Sequence, residues 1–93
     1  MAHRLILEER EYIYYGYRKL LTPYQFQLLK ALAREDGVKQ LTSAEFISTH
    51  KLKQASSVHR AIKSLTEKEM INEENGVYYV YDVFFAKWLN RLP

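Results

Sequence analysis

The 93-residue chain contains no cysteine. That removes any disulfide framework and any thiolate metal site, a usage that suits a reducing compartment. Glycine is scarce as well. Gly16, Gly37 and Gly76 are the only three, and none begins the GxxxxGK pattern whose successive amides cradle a phosphate. A phosphate-binding loop is therefore excluded, and the chain cannot hydrolyse ATP alone. HExxH is missing, and His3, His50 and His59 lack metal-ligand spacing with one another or with a nearby acid. Ser57 and His59 lie two apart on a helical stretch and face different directions, which rules out a local nucleophile and base pair. No catalytic role, no metal and no cofactor of its own are expected for this chain. No apolar run approaches the roughly 20 residues of a membrane span, and Met1 to Leu7 lacks the apolar length of a signal peptide. The reading is a cytoplasmic chain without a membrane partner.

What is present is an ordinary globular composition, 47% hydrophobic with 14% aromatic residues, enough for one small domain with a thin core. A formal charge of +3 and a pI near 9.2 invite a nucleic-acid partner, so the position of the charge matters. Residues 42 to 82 hold five basic and six acidic groups, so this central part is not basic. Within it the charges are polarised: Lys51, Lys53, Arg60 and Lys63 run without an intervening acid, and Glu67, Glu69, Glu73, Glu74 and Asp82 come after them.

The stretch Gln54 to Glu69 reads as an amphipathic helix. Val58, Ala61, Ile62 and Leu65 recur at i, i+3, i+4 and i+7 and form one apolar stripe, while Ser56, Arg60, Lys63 and Glu67 point the other way. Any surface helix has a polar face; the hairpin signal just after this one sharpens the reading. Two β-prone runs flank Asn75-Gly76, a pair able to take the positive φ of a tight hairpin. In the second run Val77, Tyr79 and Tyr81 share one face, with Tyr78 and Val80 on the other.

Arg4 to Leu21 fits a helix, with Leu5, Tyr12, Gly16 and Leu20, and also Ile6, Ile13 and Tyr17, at helical spacing; YIYYGY would also suit a strand. Its tyrosines read as core bodies with hydroxyls at the rim, the alternative being an aromatic platform for bases. Thr22 followed by Pro23 is a helix start, and Glu35-Asp36-Gly37 is the stop. Tyr24, Leu28, Ala31 and Leu32 form the inner stripe between them. Lys39 to Leu41 is predicted as extended, and Thr42 with Glu45 as a capping box opening a short helix to about His50 with Phe46 and Ile47 inward. Lys51, Leu52 and Lys53 make the turn. Asp82 is predicted to cap a last helix in which Phe85, Leu89 and Leu92 share a side and Phe84 and Trp88 sit alongside. Helix, short strand, helix, turn, helix and hairpin is the winged-helix order. The fold class expected is α+β, mostly helical: a winged helix-turn-helix with an extra N-terminal helix over residues 1–21 and a winged-helix domain over 22–93 that ends in a C-terminal helix.

The runs LTPYQFQLLKALA, TSAEFISTHKLKQASSVHRAIKSLTEKEMI and GVYYVYDVFFAKWL resemble the C-terminal winged-helix domain of prokaryotic AAA-type ATPases of the archaeal group. The likeness covers roughly Leu21 to Leu92. It is strongest at Ala55-Ser56-Ser57-Val58 and at Tyr81-Asp82 with Phe85 and Trp88. Val83 stands where the family often has proline. The resemblance implies a module of a larger protein, with ATP and Mg held by a nucleotide-binding domain ahead of residue 1 and the first helix as the connection to it. It also implies two partners, duplex DNA or the ATPase core of the same parent chain.

Two functions are open on these grounds. In the first, the module binds duplex DNA weakly through the Gln54 to Glu69 helix. Lys51, Lys53, Arg60 and Lys63 would meet phosphates or guanine edges, and Gln54, Ser56 and Ser57 would donate to phosphates. In the second, it is a protein-interaction or autoregulatory module that docks on the ATPase core or a second copy, with Tyr12, Tyr17, Phe84 and Trp88 as contacts. The acids Glu73 and Glu74 at the hairpin tip favour the second.

Overall fold

Thr22 sets the first well-defined boundary in the chain. Its hydroxyl accepts from the Gln25 amide N–H, and the Gln25 side chain in turn accepts from the Thr22 N–H, a reciprocal cap that satisfies two donors at once. Pro23 occupies the first helical position, where its lack of an N–H does no harm. The computed structural model describes residues 12–92. In it α1 covers 12–20, α2 is Pro23–Glu35, α3 Ala44–Thr49, α4 Ala55–Glu67, β1 Ile71–Glu74, β2 Val77–Val80 and α5 Val83–Arg91. The result is the expected α+β winged-helix architecture: mostly helical, with one antiparallel hairpin.

Each further boundary has a local cause. α2 stops at Asp36 (φ 51°) and Gly37 (φ 109°), both in left-handed backbone. α3 is capped by Ser43, whose hydroxyl accepts from the Phe46 N–H. This corrects the predicted Thr42 and Glu45 box: two adjacent hydroxyls compete, and starting from Ser43 leaves Leu41 buried ahead of the helix and Phe46 buried within it. Asn75 and Gly76, both at positive φ, close the hairpin in two residues. The register pairs Ile71 with Val80 and Glu73 with Tyr78. Val38 pairs with Tyr78 by exchanging both backbone bonds, at 3.0 and 2.9 Å, which corrects the predicted extended stretch Lys39 to Leu41: the bridge falls one residue earlier, and 39–41 is bend and turn. Asp82 caps α5 through the Phe84 and Phe85 amides, as predicted.

The core lies between α2 and everything else. Leu28, Leu29 and Leu32 are buried from α2, Val58 and Leu65 from α4, Leu52 from the turn, and Phe85, Trp88 and Leu89 from α5. On α1 the reading of the tyrosines as core bodies holds for Tyr14 and not for Tyr12, and Leu5 and Ile6 lie outside the described residues. Residues 12–20 are helix, but Tyr12, Ile13 and Leu20 are exposed, and the inward side is Tyr14, Tyr17 and Leu21. The reason is tertiary. With tyrosine at 12, 14, 15 and 17 every side of the helix carries an aromatic, and the buried side is the one α5 meets. The Tyr14 ring packs 4.9 Å from Phe85 and 5.5 Å from Trp88, centroid to centroid.

Candidate nucleic-acid interface

α4 is fixed from behind and bare in front. Its stripe of Val58, Ala61 and Leu65 is buried, with Ile62 partly so, as its spacing predicts. Ser56, Arg60 and Lys63 lie in solvent on the opposite side, and at 1.5 Å per residue they span about 10 Å of helix. Gln54 stands at the N-cap but makes no side-chain capping bond. The first turn of α4 contains no acid, so its partial positive charge faces outward uncompensated. Ser57, a predicted contact, is rotated about 100° from Ser56 and is half-buried, so it flanks the face without lying on it.

The turn ahead of α4 carries the other predicted cations. Lys51 (φ 54°) and Lys53 (φ 73°) both adopt left-handed backbone around the fully buried Leu52, and both side chains are exposed. With Ile47, Ser48, Gln54 and Ala55 they line a shallow groove between α3 and the start of α4. Two strained residues in three persist only if the surroundings hold them, and α2 does. The Tyr24 hydroxyl donates to the Leu52 carbonyl at 2.6 Å, and the Gln27 amide donates to the carbonyls of His50 at 2.9 Å and Lys51 at 3.3 Å. His50 itself meets Glu35 at 2.9 Å. Farther along, the Gln25 amide donates to the Ser64 hydroxyl at 3.0 Å, and Lys68 donates to Gln25 at 3.3 Å.

These supports from α2 are what sequence reasoning misses. Spacing predicts Tyr24 only as part of an apolar stripe. Gln25 carries a readable signal, the Thr-x-x-Gln spacing of a capping box. The reach of Gln27 to a turn more than twenty residues away has none.

Two tyrosines here have hydroxyls displaced from their ordinary behaviour. Burial raises the Tyr24 pKa above 10.0, with the Arg60 charge working against it. Burial also raises that of Tyr78, helped by the carboxylate of its cross-strand partner Glu73. A phenol whose pKa is raised by folding keeps its proton longer in the folded state. Its contribution is therefore intact below the unfolded value near 10.0 and is lost as pH rises through the folded value. The urea midpoint is expected to fall in that alkaline window. Tyr24→Phe should lower stability by about 1 kcal/mol at neutral pH by removing the bond to Leu52, and should make the alkaline fall shallower.

The hairpin tip is acidic and exposed, with Glu73 and Glu74 leading into Asn75 and Gly76. Of the predicted interaction residues, Tyr12 is exposed. Tyr17 is half-buried and packs edge-on to Phe85 at 5.3 Å, and Phe84 is half-buried with Lys87 5.8 Å over its ring. Trp88 is the correction: it is 2% exposed, ringed by Tyr14, Tyr15, Phe26 and Phe85, so it is part of the core and not a surface contact. Among the described residues no cluster of three His, Asp or Glu side chains could hold a metal, and no helix is long and apolar enough to cross a membrane.

Residues 12–91 match the profile of a family described as "Probable winged helix domain". Neither a curated protein nor a solved structure matches the chain.

Proposed function

We propose, on the premise that the chain belongs to the family of probable winged helix domains, that it is a non-catalytic module binding duplex DNA through the outer face of α4. The observation that carries this reading is a single one. Lys51, Lys53, Arg60 and Lys63 are exposed, succeed one another without an acid, and cluster on a helix and turn held in place from behind. Arg60 and Lys63 supply charge to phosphates or guanine edges in the major groove. The uncapped amides after Gln54 and the Ser56 hydroxyl supply donors to a phosphate at the helix start. Glu73 and Glu74 repel the backbone, so the hairpin adds no electrostatic contact and binding stays weak.

Fluorescence anisotropy with a duplex of mixed sequence tests this. With at most these four cations engaged, the slope of log K against log salt should not exceed roughly 3.6 in magnitude. Arg60→Ala should weaken binding about tenfold at low salt. No binding to any duplex at low salt, or binding indifferent to Arg60→Ala, would sink the proposal.

The acidic hairpin tip favours a second reading, docking on the ATPase core of a parent AAA-type ATPase that itself holds ATP and Mg. The sequence resemblance supports that parentage. The two readings separate on one variant: Arg60→Ala with Lys63→Ala loses DNA and keeps docking.

A further inference from the structure

The groove that holds Lys51 and Lys53 does not end at Ala55. Thr42 lines it, and Thr42 also lines a second concavity, where it meets Lys39, Gln40, Ser43, His59, Ile62 and Tyr78. At about 100° per residue Ala55, His59 and Ile62 fall within one arc of roughly 60°, so the two concavities follow one flank of α4. The opposite flank carries Ser64 and is covered by Gln25 of α2. The far wall of the second concavity is tied down along its length. Val38 exchanges both backbone bonds with Tyr78, Leu41 is buried, and the Ser43 N–H donates to the Gln40 carbonyl at 3.2 Å. That leaves Lys39 and Gln40 exposed at the root of the hairpin, with His59 exposed on α4 beside them.

The lining chemistry suits a polyanion. Among the described residues no acid lines either concavity. Lys51 and Lys53 supply charge at one end and Lys39 at the other, while Gln54, Thr42, Gln40 and His59 supply amide, hydroxyl and imidazole donors. Glu35 and Glu45 line a separate concavity that shares Lys39, Gln40 and Ser43. Glu73, the cross-strand partner of Tyr78, lines none of the three. Ala55 and Ile62 lie about 10 Å apart along the helix, and a DNA strand carries one charge per roughly 3.4 Å of its axis. The strip is long enough to follow a strand past more than one phosphate.

We infer that one strand of the bound duplex runs along this flank of α4, with Lys39 and His59 as phosphate contacts. The hairpin then meets the backbone at its root instead of at its acidic tip. This inference rests on the DNA reading and adds to it two residues and the course of a strand. Lys39 also raises the number of cations able to engage from four to five, which lifts the ceiling on the salt slope from roughly 3.6 to roughly 4.5 in magnitude.

Anisotropy of the full chain with the mixed-sequence duplex, repeated over a salt series, tests this. Lys39→Ala should weaken binding and lower the salt slope by about 1 in magnitude. His59→Ala should weaken binding about three- to tenfold. Both side chains are exposed, so neither the far-UV spectrum nor the thermal midpoint should fall. Lys87→Ala, on the exposed side of α5, removes the same charge away from the strip and should leave the slope unchanged. Suppose wild type binds and Arg60→Ala weakens it, as the DNA reading requires. An unchanged slope for Lys39→Ala, an unchanged affinity for His59→Ala, or an equal fall in slope for Lys87→Ala then overturns this inference alone. No duplex binding by wild type at low salt overturns both.

Discussion

Trp88→Ala is expected to destabilise the domain by about 3–5 kcal/mol, a large share of the roughly 5–15 kcal/mol that holds a typical domain together. The indole is 2% exposed, and aromatic rings from three helices surround it: Tyr14 and Tyr15 on α1, Phe26 on α2 and Phe85 one turn earlier on α5. Truncation leaves a void that these rings cannot fill without losing their own contacts, and the transfer and cavity terms add. Urea unfolding followed by circular dichroism checks it, and Trp88→Phe should lie between wild type and alanine. If Trp88 were instead a docking contact, alanine would leave the urea midpoint near wild type and abolish only the interaction.

Gly37→Ala is the second large effect, expected at about 2–4 kcal/mol from backbone strain and overpacking combined. Gly37 has φ +109°, a conformation that side chains rarely adopt, and a Cβ there would lie 2.6 Å from Cε1 of Tyr79 and 3.0 Å from Cγ1 of Val77. Gly76→Ala provides the control: it too has positive φ, but a Cβ there meets nothing within 4 Å, so only the backbone penalty of about 1 kcal/mol should appear. Adding Tyr79→Ala to Gly37→Ala should recover the part due to collision with the Tyr79 ring, but neither the crowding against Val77 nor the part due to φ, a non-additivity readable in a double-mutant cycle. Equal losses at Gly37 and Gly76 would show that the Tyr79 ring swings aside freely.

Where a boundary has a local chemical cause, it can be read from the chain. Thr22-Pro23, Asn75-Gly76 and Asp82 each act on backbone groups two or three residues away, and each is legible. So is α4, because its apolar side chains occupy one side only. α1 is not, since aromatic residues lie all round it and the choice of inner face belongs to Phe85 and Trp88 at the far end of the sequence. The same ambiguity puts Trp88 outside on a sequence reading: Phe84, Phe85, Trp88 and Leu89 make an apolar arc so wide that periodicity cannot say which ring closes the core. At the candidate interface the exposed cations are legible individually. The tie from Tyr24 and Gln27 to the strained turn is not, because a hydrogen bond to a distant carbonyl leaves no pattern in spacing.

The pairing of Tyr14 with Trp88 also bears on how the domain is made. These rings come from α1 and α5, so during synthesis α1 must wait for α5. α2, α3, α4 and the hairpin can already bury their shared side chains, while Tyr14 stays uncovered until α5 has emerged. α1 is made before α2, α3, α4 and the hairpin yet is completed after them, and a chain released before Phe85 would present the aromatic side of α1 to whatever lies nearby.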